Sequence, residues 1–368
     1  MSERRDCDIL AGPRKGRGAV SNPDGRYESH RHERVADDWP GDDEVPPPLR
    51  TTLGIDTARS VIAYNDSPDV AFDRSVNPYR GCEHGCSYCF ARPSHAYLGL
   101  SPGLDFETRL FHKPDAPARL AEELRAPRYA CAPIALGINT DAYQPVERRS
   151  GLTRRLIEVL RAYRHPVSIV TKSALVERDL DLLSAMAAEG LAQVFLSITT
   201  LDPALARALE PRAATPLRRL ETLARLSEAG VPCGVLFAPV IPALNDHELE
   251  RVLARAREAG ASAAGYVMLR LPGEVKPLFA EWLETHVPGR AAHVFSLLRQ
   301  MHGGREYAAD FGVRMRGRGA YAELVAQRFR VAARREGLDR GLPPLDCSRF
   351  RVPARAGDQF DLFSSDDH

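Results

Sequence analysis

The chain has 368 residues, 44% of them hydrophobic, and carries 50 basic against 49 acidic side chains for a net charge of +1. That is enough apolar mass for one large core, and the charge balance excludes a chain that gathers nucleic acid by bulk electrostatics. No apolar run approaches the roughly 20 residues of a membrane span and no apolar h-region opens the chain, so a soluble, cytoplasmic protein without a membrane partner is expected.

Residues 1–50 are rich in Arg, Asp, Gly and Pro and end in Pro46-Pro47-Pro48, the composition of a disordered segment. Within it, Arg14-Lys15-Gly16-Arg17-Gly18 reads either as a solvated tail or as a phosphate contact. From 51 to 272, short apolar runs alternate with amphipathic stretches. Strands are expected at 75–78, 134–138, 167–171, 194–199, 234–239 and 265–269. Helices are expected at 116–124, 152–163, 179–189, 216–229 and 247–259. Leu152, Leu156, Val159, Leu160 and Tyr163 recur at helical spacing, and Gly190 and Gly230 punctuate helix ends. About six β-α units imply a parallel sheet but are too few for a closed eight-unit barrel, so the expected α/β fold is a partial, TIM-like (β/α)6 barrel. Beyond Pro272 the rhythm stops. Helical segments at 276–286, 291–301 and 320–335 predict a helical extension over 273–355, packed on or beside the barrel's open side, followed by a disordered tail at 356–368.

The densest chemical signal is Cys82-Glu83-His84-Gly85-Cys86-Ser87-Tyr88-Cys89. Three thiolates on a short glycine-containing loop can hold three irons of a [4Fe–4S] cluster and leave the fourth open to a substrate. A zinc site needs a fourth ligand, for which His84 or His95 is the candidate. Cys7, Cys131, Cys233 and Cys347 are scattered without a spacing pattern, as in a reducing compartment.

The Cys-x3-Cys-x2-Cys spacing with Tyr88 before the last cysteine resembles the signature of radical S-adenosylmethionine (SAM) enzymes. Ser75-Val76-Asn77-Pro78-Tyr79-Arg80-Gly81-Cys82 and Thr140-Asp141-Ala142-Tyr143-Gln144-Pro145-Val146-Glu147 resemble the branch related to spore photoproduct lyase, often called DNA repair photolyase-like. The resemblance covers about 51–272. It implies the same partial barrel, Cys82, Cys86 and Cys89 as cluster ligands, SAM as second cofactor, and an external electron donor that the sequence does not specify. Lyases of that branch return hydrogen to their product from a cysteine at the end of strand two; here Ile138-Asn139-Thr140 stands instead, so photoproduct splitting itself is not expected. Tyr143 or Tyr97 is the substitute considered for that relay.

In parallel α/β barrels the functional groups gather at strand C-termini. Thr140 and Asp141, after strand two, suit the amino and carboxylate groups of a SAM methionine; the alternative is a turn or cap. Lys172, after strand three, resembles the lysine that pairs with the SAM carboxylate in this branch; the alternative is a snorkelling surface lysine. Lysine is rare here, four among the 50 basic residues, which favours the binding role. Ser197, at the end of strand four, matches a SAM-binding serine of the branch. Tyr88 and Phe90 are expected to wall the cluster loop, with the backbone near Tyr88 against adenine. Arg212 is either an anion contact or the ion-pair partner of Glu210, and Asn245 is expected to cap the following helix.

Two features point to DNA. From Arg299 to Arg355 there are 13 arginines, no lysine and 6 acids, a local net of +7, including Arg314-Met315-Arg316-Gly317-Arg318-Gly319; such segments contact phosphates, or they form a solvated helix face. The tail Gln359-Phe360-Asp361-Leu362-Phe363 resembles the bacterial sliding-clamp-binding motif. The expected function is a radical SAM enzyme that generates a 5′-deoxyadenosyl radical for hydrogen abstraction, on a nucleic acid or nucleotide and in a repair setting. The alternatives are the same chemistry on a protein or small molecule, and a non-catalytic metal-binding interaction protein.

Overall fold

Our structure is a computed structural model and describes residues 13–27 and 49–354. Ten strands are present among them: β1 (Thr52–Ile55), β2 (Ile62–Tyr64), β3 (Arg74–Val76), β4 (Tyr79–Arg80), β5 (Arg109–His112), β6 (Ile134–Leu136), β7 (Val167–Thr171), β8 (Ala192–Ser197), β9 (Cys233–Val240) and β10 (Ala263–Met268). The main sheet has the order β10-β9-β8-β7-β6-β3-β2. Its six consecutive strands from β3 to β10 pair in parallel, and β2 adds an antiparallel edge. Sequential parallel neighbours joined by helices make the partial (β/α)6 barrel expected from the six-unit rhythm. A second sheet, β1-β5-β4, was not anticipated.

The first expected strand, at 75–78, stops at Val76, and the chain then changes sheet. Its residues pair with β6 up to Val76, and after Pro78 the chain leaves to pair with β5. Pro78 has no N–H to give a ladder, which makes it a natural crossing point.

Apolar periodicity placed the helices correctly. Along Leu152–Ala162, the side chains of Leu152, Leu156, Ile157 and Leu160 are fully buried, each contributing roughly 1.5–3 kcal/mol to burial against the sheet. Thr215 caps Pro216–Glu228 by accepting the Arg218 N–H at 3.3 Å. An additional helix, Pro203–Leu209, starts at Asp202, whose carboxylate accepts the Ala204 N–H at 2.7 Å.

The region after 272 carries helices Val275–His286, Pro288–Met301 and Ala320–Glu336. The turn before the last of these closes the barrel's open side. Met268 N on edge strand β10 donates to Met315 O at 2.9 Å. From the other edge, Asp69 in the loop between β2 and β3 accepts Gly312 N and Arg314 Nε, both at 2.6 Å. The 312–315 strap therefore spans the gap between the first and last parallel strands.

Residues 13–27 correct the expectation of a wholly disordered N-terminal fifty. Arg17, Ala19, Val20 and Ser21 are buried. Gly18 N and Ala19 N donate to the Glu107 carboxylate at 3.0 and 2.8 Å. A Cβ on Gly18 would fall 1.7 Å from the Gly85 carbonyl oxygen, so only glycine lets this backbone approach the cysteine loop. The segment has too few apolar residues to announce itself; main-chain donors to one buried acid hold it. Arg17 is thereby turned inward, donating to Glu107 O at 2.9 Å, rather than toward an external phosphate. No helix among the described residues is long and apolar enough to cross a membrane. The tail at 356–368 lies outside the described residues.

Candidate active site

The C-terminal ends of β6 to β10 and the 82–89 loop enclose a cavity of about 300 Å³. Cys82, Cys86 and Cys89 line one wall. Two glycines with left-handed backbone, Gly81 (φ 73°) and Gly85 (φ 65°), bend the loop tightly enough to bring the three thiols to that wall. A Cβ at Gly85 would meet Glu107 Oε2 at 2.6 Å.

The loop is held from behind by a buried ion pair that sequence reasoning missed. Arg92, with no exposed surface, donates to Cys86 O (2.8 and 3.0 Å), Gly85 O (3.3 Å), Pro102 O (3.1 Å), Gly103 O (2.9 Å) and Glu107 Oε1 (2.5 Å). These bonds engage the whole guanidinium. From the side, Gln144 accepts Glu83 N at 2.8 Å and donates to Gly81 O at 3.1 Å. Beneath, Tyr88 OH donates to Glu210, which also takes Thr199 Oγ1 (2.6 Å) and Arg219. Burial raises the Tyr88 phenol well above its usual range, and the adjacent Glu210 charge adds to this, so it stays a proton donor.

The polar side chains of 140–147 are bonded largely to main chain and to neighbouring side chains. Thr140 Oγ1 donates to Tyr79 O at 3.0 Å, and Thr140 is not among the residues lining the cavity. Asp141 does line it, but its carboxylate already accepts Thr171 Oγ1 (2.7 Å), Lys172 N (2.8 Å) and Tyr143 N (2.9 Å), with His84 Nδ1 at 3.3 Å. Burial alone would raise its pKa; His84 and the Lys172 and Thr171 donors overcome that and hold it at about 2. Asp141 thus orients His84 and the β7 terminus. Glu147 accepts Thr153 N at 3.0 Å and Arg178 Nη2 at 2.8 Å.

Lys172 and Ser197 reach the cavity as expected. The Lys172 ammonium lies 5.9 Å from the centre of the Tyr88 ring. Burial opposes its charge, but Cys86, Glu210 and Asp141 around it raise its pKa, so it is a cation facing the thiol wall. Ser197 Oγ donates to Ala238 O at 2.9 Å and keeps its lone pairs. Pro239 and Met268 supply an apolar floor.

Other expectations need correction. Arg212 pairs with Glu83 at 3.2 Å, because Arg219 occupies Glu210. Asn245 makes no side-chain cap; it accepts Ile241 N at 2.6 Å and donates to Thr199 O at 2.7 Å, joining the ends of β8 and β9. Tyr143 is fully buried on Asp179 and Tyr97 is 70% exposed against Tyr27; neither lines the cavity. The Arg-rich region is a separate matter: Arg314 pairs with Asp69, Arg328 with Glu250 and Arg299 with Glu306, while contact of its other arginines with DNA stands as a proposal.

The donor set fits an iron–sulfur cluster. Burial pushes the Cys86 thiol up to about 12 and the Cys82 thiol upward as well, so these groups become thiolates only when metal charge compensates them. Among the described residues, no three His, Cys, Asp or Glu side chains converge on one and the same ion; a cubane takes one thiolate per iron. The facing cation Lys172 and the Ser197 hydroxyl suit the carboxylate and hydroxyl groups of SAM.

Comparison with known proteins agrees. A family profile described as the radical SAM superfamily matches residues 76–256. An uncharacterized protein of Mycobacterium tuberculosis is 39% identical over 243 residues, 65% of this chain and 72% of that one. One of Methanocaldococcus jannaschii is 29% identical over 173 residues, 47% of this chain and 62% of its own length. Among solved structures, a doubly substituted spore photoproduct lyase with bound AdoMet and dinucleoside spore photoproduct matches with a TM-score of 0.53 at 16% identity, over 77% of this chain and 78% of that one. At that identity the likeness is one of fold. On the cysteine loop, the partial barrel and the profile match together, this chain belongs to the radical SAM superfamily and is a radical SAM enzyme.

Proposed function

We propose that this enzyme abstracts hydrogen from a nucleic acid or nucleotide, in a repair setting. The observation that carries the reading is the cavity: it is lined by three cluster thiols, by Lys172 and Ser197, and further round by Ile138, Asn139, Phe90 and Arg270. A fold shared with a lyase that binds AdoMet and a dinucleoside supports the nucleic-acid class. Cluster and SAM, when bound, supply a 5′-deoxyadenosyl radical by reductive cleavage. The chain's residues do the rest. Cys82, Cys86 and Cys89 would hold the irons, Lys172 would pair with the SAM carboxylate, Ser197 would accept from a SAM hydroxyl, and Tyr88 would brace the loop against adenine. Asp141 acts through His84 and the β7 terminus rather than on SAM directly, and Thr140 keeps the 79–82 backbone in place.

Ile138 and Asn139 line the cavity where a hydrogen-returning cysteine would stand, whereas Cys131 and Cys233 do not line it. The substrate is therefore other than spore photoproduct. Reductive production of 5′-deoxyadenosine by anaerobically reconstituted protein tests the chemistry, and deuterium transfer from candidate nucleotides into it tests the substrate class. Transfer only from a protein or small molecule would replace the nucleic-acid reading. Clear turnover of synthetic spore photoproduct would refute its exclusion. The tail motif is proposed to recruit the enzyme to a sliding clamp; Leu362→Ala/Phe363→Ala should abolish retention on immobilised clamp, and equal retention would end that idea.

A further inference from the structure

Arg270, which is half-buried, is bonded differently from Arg92 and Arg219. Arg92 and Arg219 are wholly buried and spend their donors on carbonyls and a carboxylate. Arg270, two residues beyond β10, lies on the cavity wall with a buried Nε that has no hydrogen-bond partner. Asp69, the acid that feels its charge, is already bonded by Gly312 N and Arg314. A buried donor on a cation is costly to leave unmatched; Arg164 carries such an Nε too, and what sets Arg270 apart is its place on the cavity wall. The Arg270 guanidinium is instead stacked 4.6 Å from the centre of the Phe90 ring, next to Cys89. Phe90 itself remains 37% exposed.

Two features separate this cation from the one assigned to SAM. Lys172 follows β7 and Arg270 follows β10, with β8 and β9 between them in the sheet. Arg270 also lies beside the 312–315 strap, and Met315 of that strap shares the cavity wall with it. Outward along the same strap, the Arg316 guanidinium stacks 4.1 Å from the centre of the Tyr266 ring, in a surface groove that also holds Arg318 and Arg330. Guanidinium and aromatic recur together from the cavity wall outward. A chain of phosphates and bases matches that repetition; a single carboxylate needs only one such station.

We propose that Arg270 anchors a phosphate of a single-stranded nucleic-acid substrate at the cavity mouth, with Phe90 offering its free surface to the adjoining base. The proposal rests on the nucleic-acid reading above. The guanidinium fork takes two phosphate oxygens, a geometry that lysine cannot supply. Arg316 and Arg318 then follow the backbone away from the site.

The test uses the full-length, cluster-loaded chain under anaerobic conditions. Fluorescein-labelled oligothymidylate binding is followed by anisotropy across a salt series, and SAM binding by equilibrium dialysis, for wild type, Arg270→Gln and Arg270→Lys. Arg270→Gln should weaken oligonucleotide binding roughly tenfold to a hundredfold and lower the salt slope by about one, with SAM affinity within about twofold. Arg270→Lys should fall between. Phenylglyoxal labelling of the wild type, mapped by mass spectrometry, needs no variant: oligothymidylate should protect Arg270 and SAM should not. Unchanged oligonucleotide binding in Arg270→Gln would overturn the proposal, and so would protection by SAM alone, which would give Arg270 to the cosubstrate carboxylate. If the wild type binds no oligonucleotide yet cleaves SAM, the nucleic-acid substrate falls while the radical chemistry stands; if SAM is not cleaved either, the failure lies in the proposed function itself.

Discussion

Arg92→Met is the sharpest test of how the cysteine loop is held. The substitution keeps much of the buried volume and removes every donor. It leaves the fully buried Glu107 with the Gly18 and Ala19 N–H groups alone, and deprives Cys86, Pro102 and Gly103 carbonyls of a partner. Removing one member of a buried pair costs about 3–5 kcal/mol, roughly a 150- to 5,000-fold change in the folding equilibrium. Against a total of about 5–15 kcal/mol for a typical domain, that is roughly a fifth or more of the reserve. Neutralising the other member as well, in Arg92→Met/Glu107→Gln, removes the stranded charge, so the double variant should lose about 1–3 kcal/mol less than the two single losses added together. Urea unfolding of the cluster-free protein gives the energies. Iron content after anaerobic reconstitution reports the loop, and Arg92→Met should retain little. A loss below about 1 kcal/mol with normal iron content, or strict additivity in the cycle, would refute the clamp.

Three further outcomes follow from the same geometry. Lys172→Met should bind the cluster normally but raise the SAM Kd roughly tenfold or more, because a facing cation is lost; an unchanged Kd by equilibrium dialysis would remove Lys172 from the SAM site. Gly85→Ala should cost about 1–2 kcal/mol for its left-handed backbone, plus the displacement of Glu107, and should deplete iron more than a surface Gly→Ala does. His165 and His95 are each held at about 4 by burial, well below the usual imidazole value near 6.5. The unfolded chain then binds more protons than the native one between about pH 6.5 and 4, so stability falls as pH is lowered through that window. His165→Gln keeps a partner for Tyr129 and should flatten part of that slope in urea midpoints, with the His95 part remaining; an unaltered slope would contradict the assignment.

Some of this architecture was readable before any coordinates and some was not. The parallel strands and their helices are coded locally, by apolar spacing that glycine and proline interrupt, and they emerged within a few residues of their expected bounds. The places of the cysteine trio, Lys172 and Ser197 on the cavity wall were legible because they depend on short spacing or on position at a strand end. Thr140 and Asp141 were harder to read because polarity at a strand end looks alike whether it serves a ligand or the main chain; only the filled acceptors of Asp141 decide. Through Glu107 the Arg92–Glu107 clamp ties the loop to Gly18 and Ala19, 89 and 88 positions before Glu107, and no local pattern encodes such a contact. Arg270 carried no signal because what singles it out, an unpartnered Nε on the cavity wall, exists only once its neighbours are placed.

The strap across the barrel has a practical corollary. The profile match ends at residue 256 and begins at 76, yet Gly18 and Ala19 brace the cysteine loop and Met315 pairs with the last strand. A protein cut to residues 76–256 would keep Cys82, Cys86 and Cys89 but lose the brace, β2, β10 and the strap that seals against β10. Its edge strand would lie bare, and its iron would stand open to water and dioxygen.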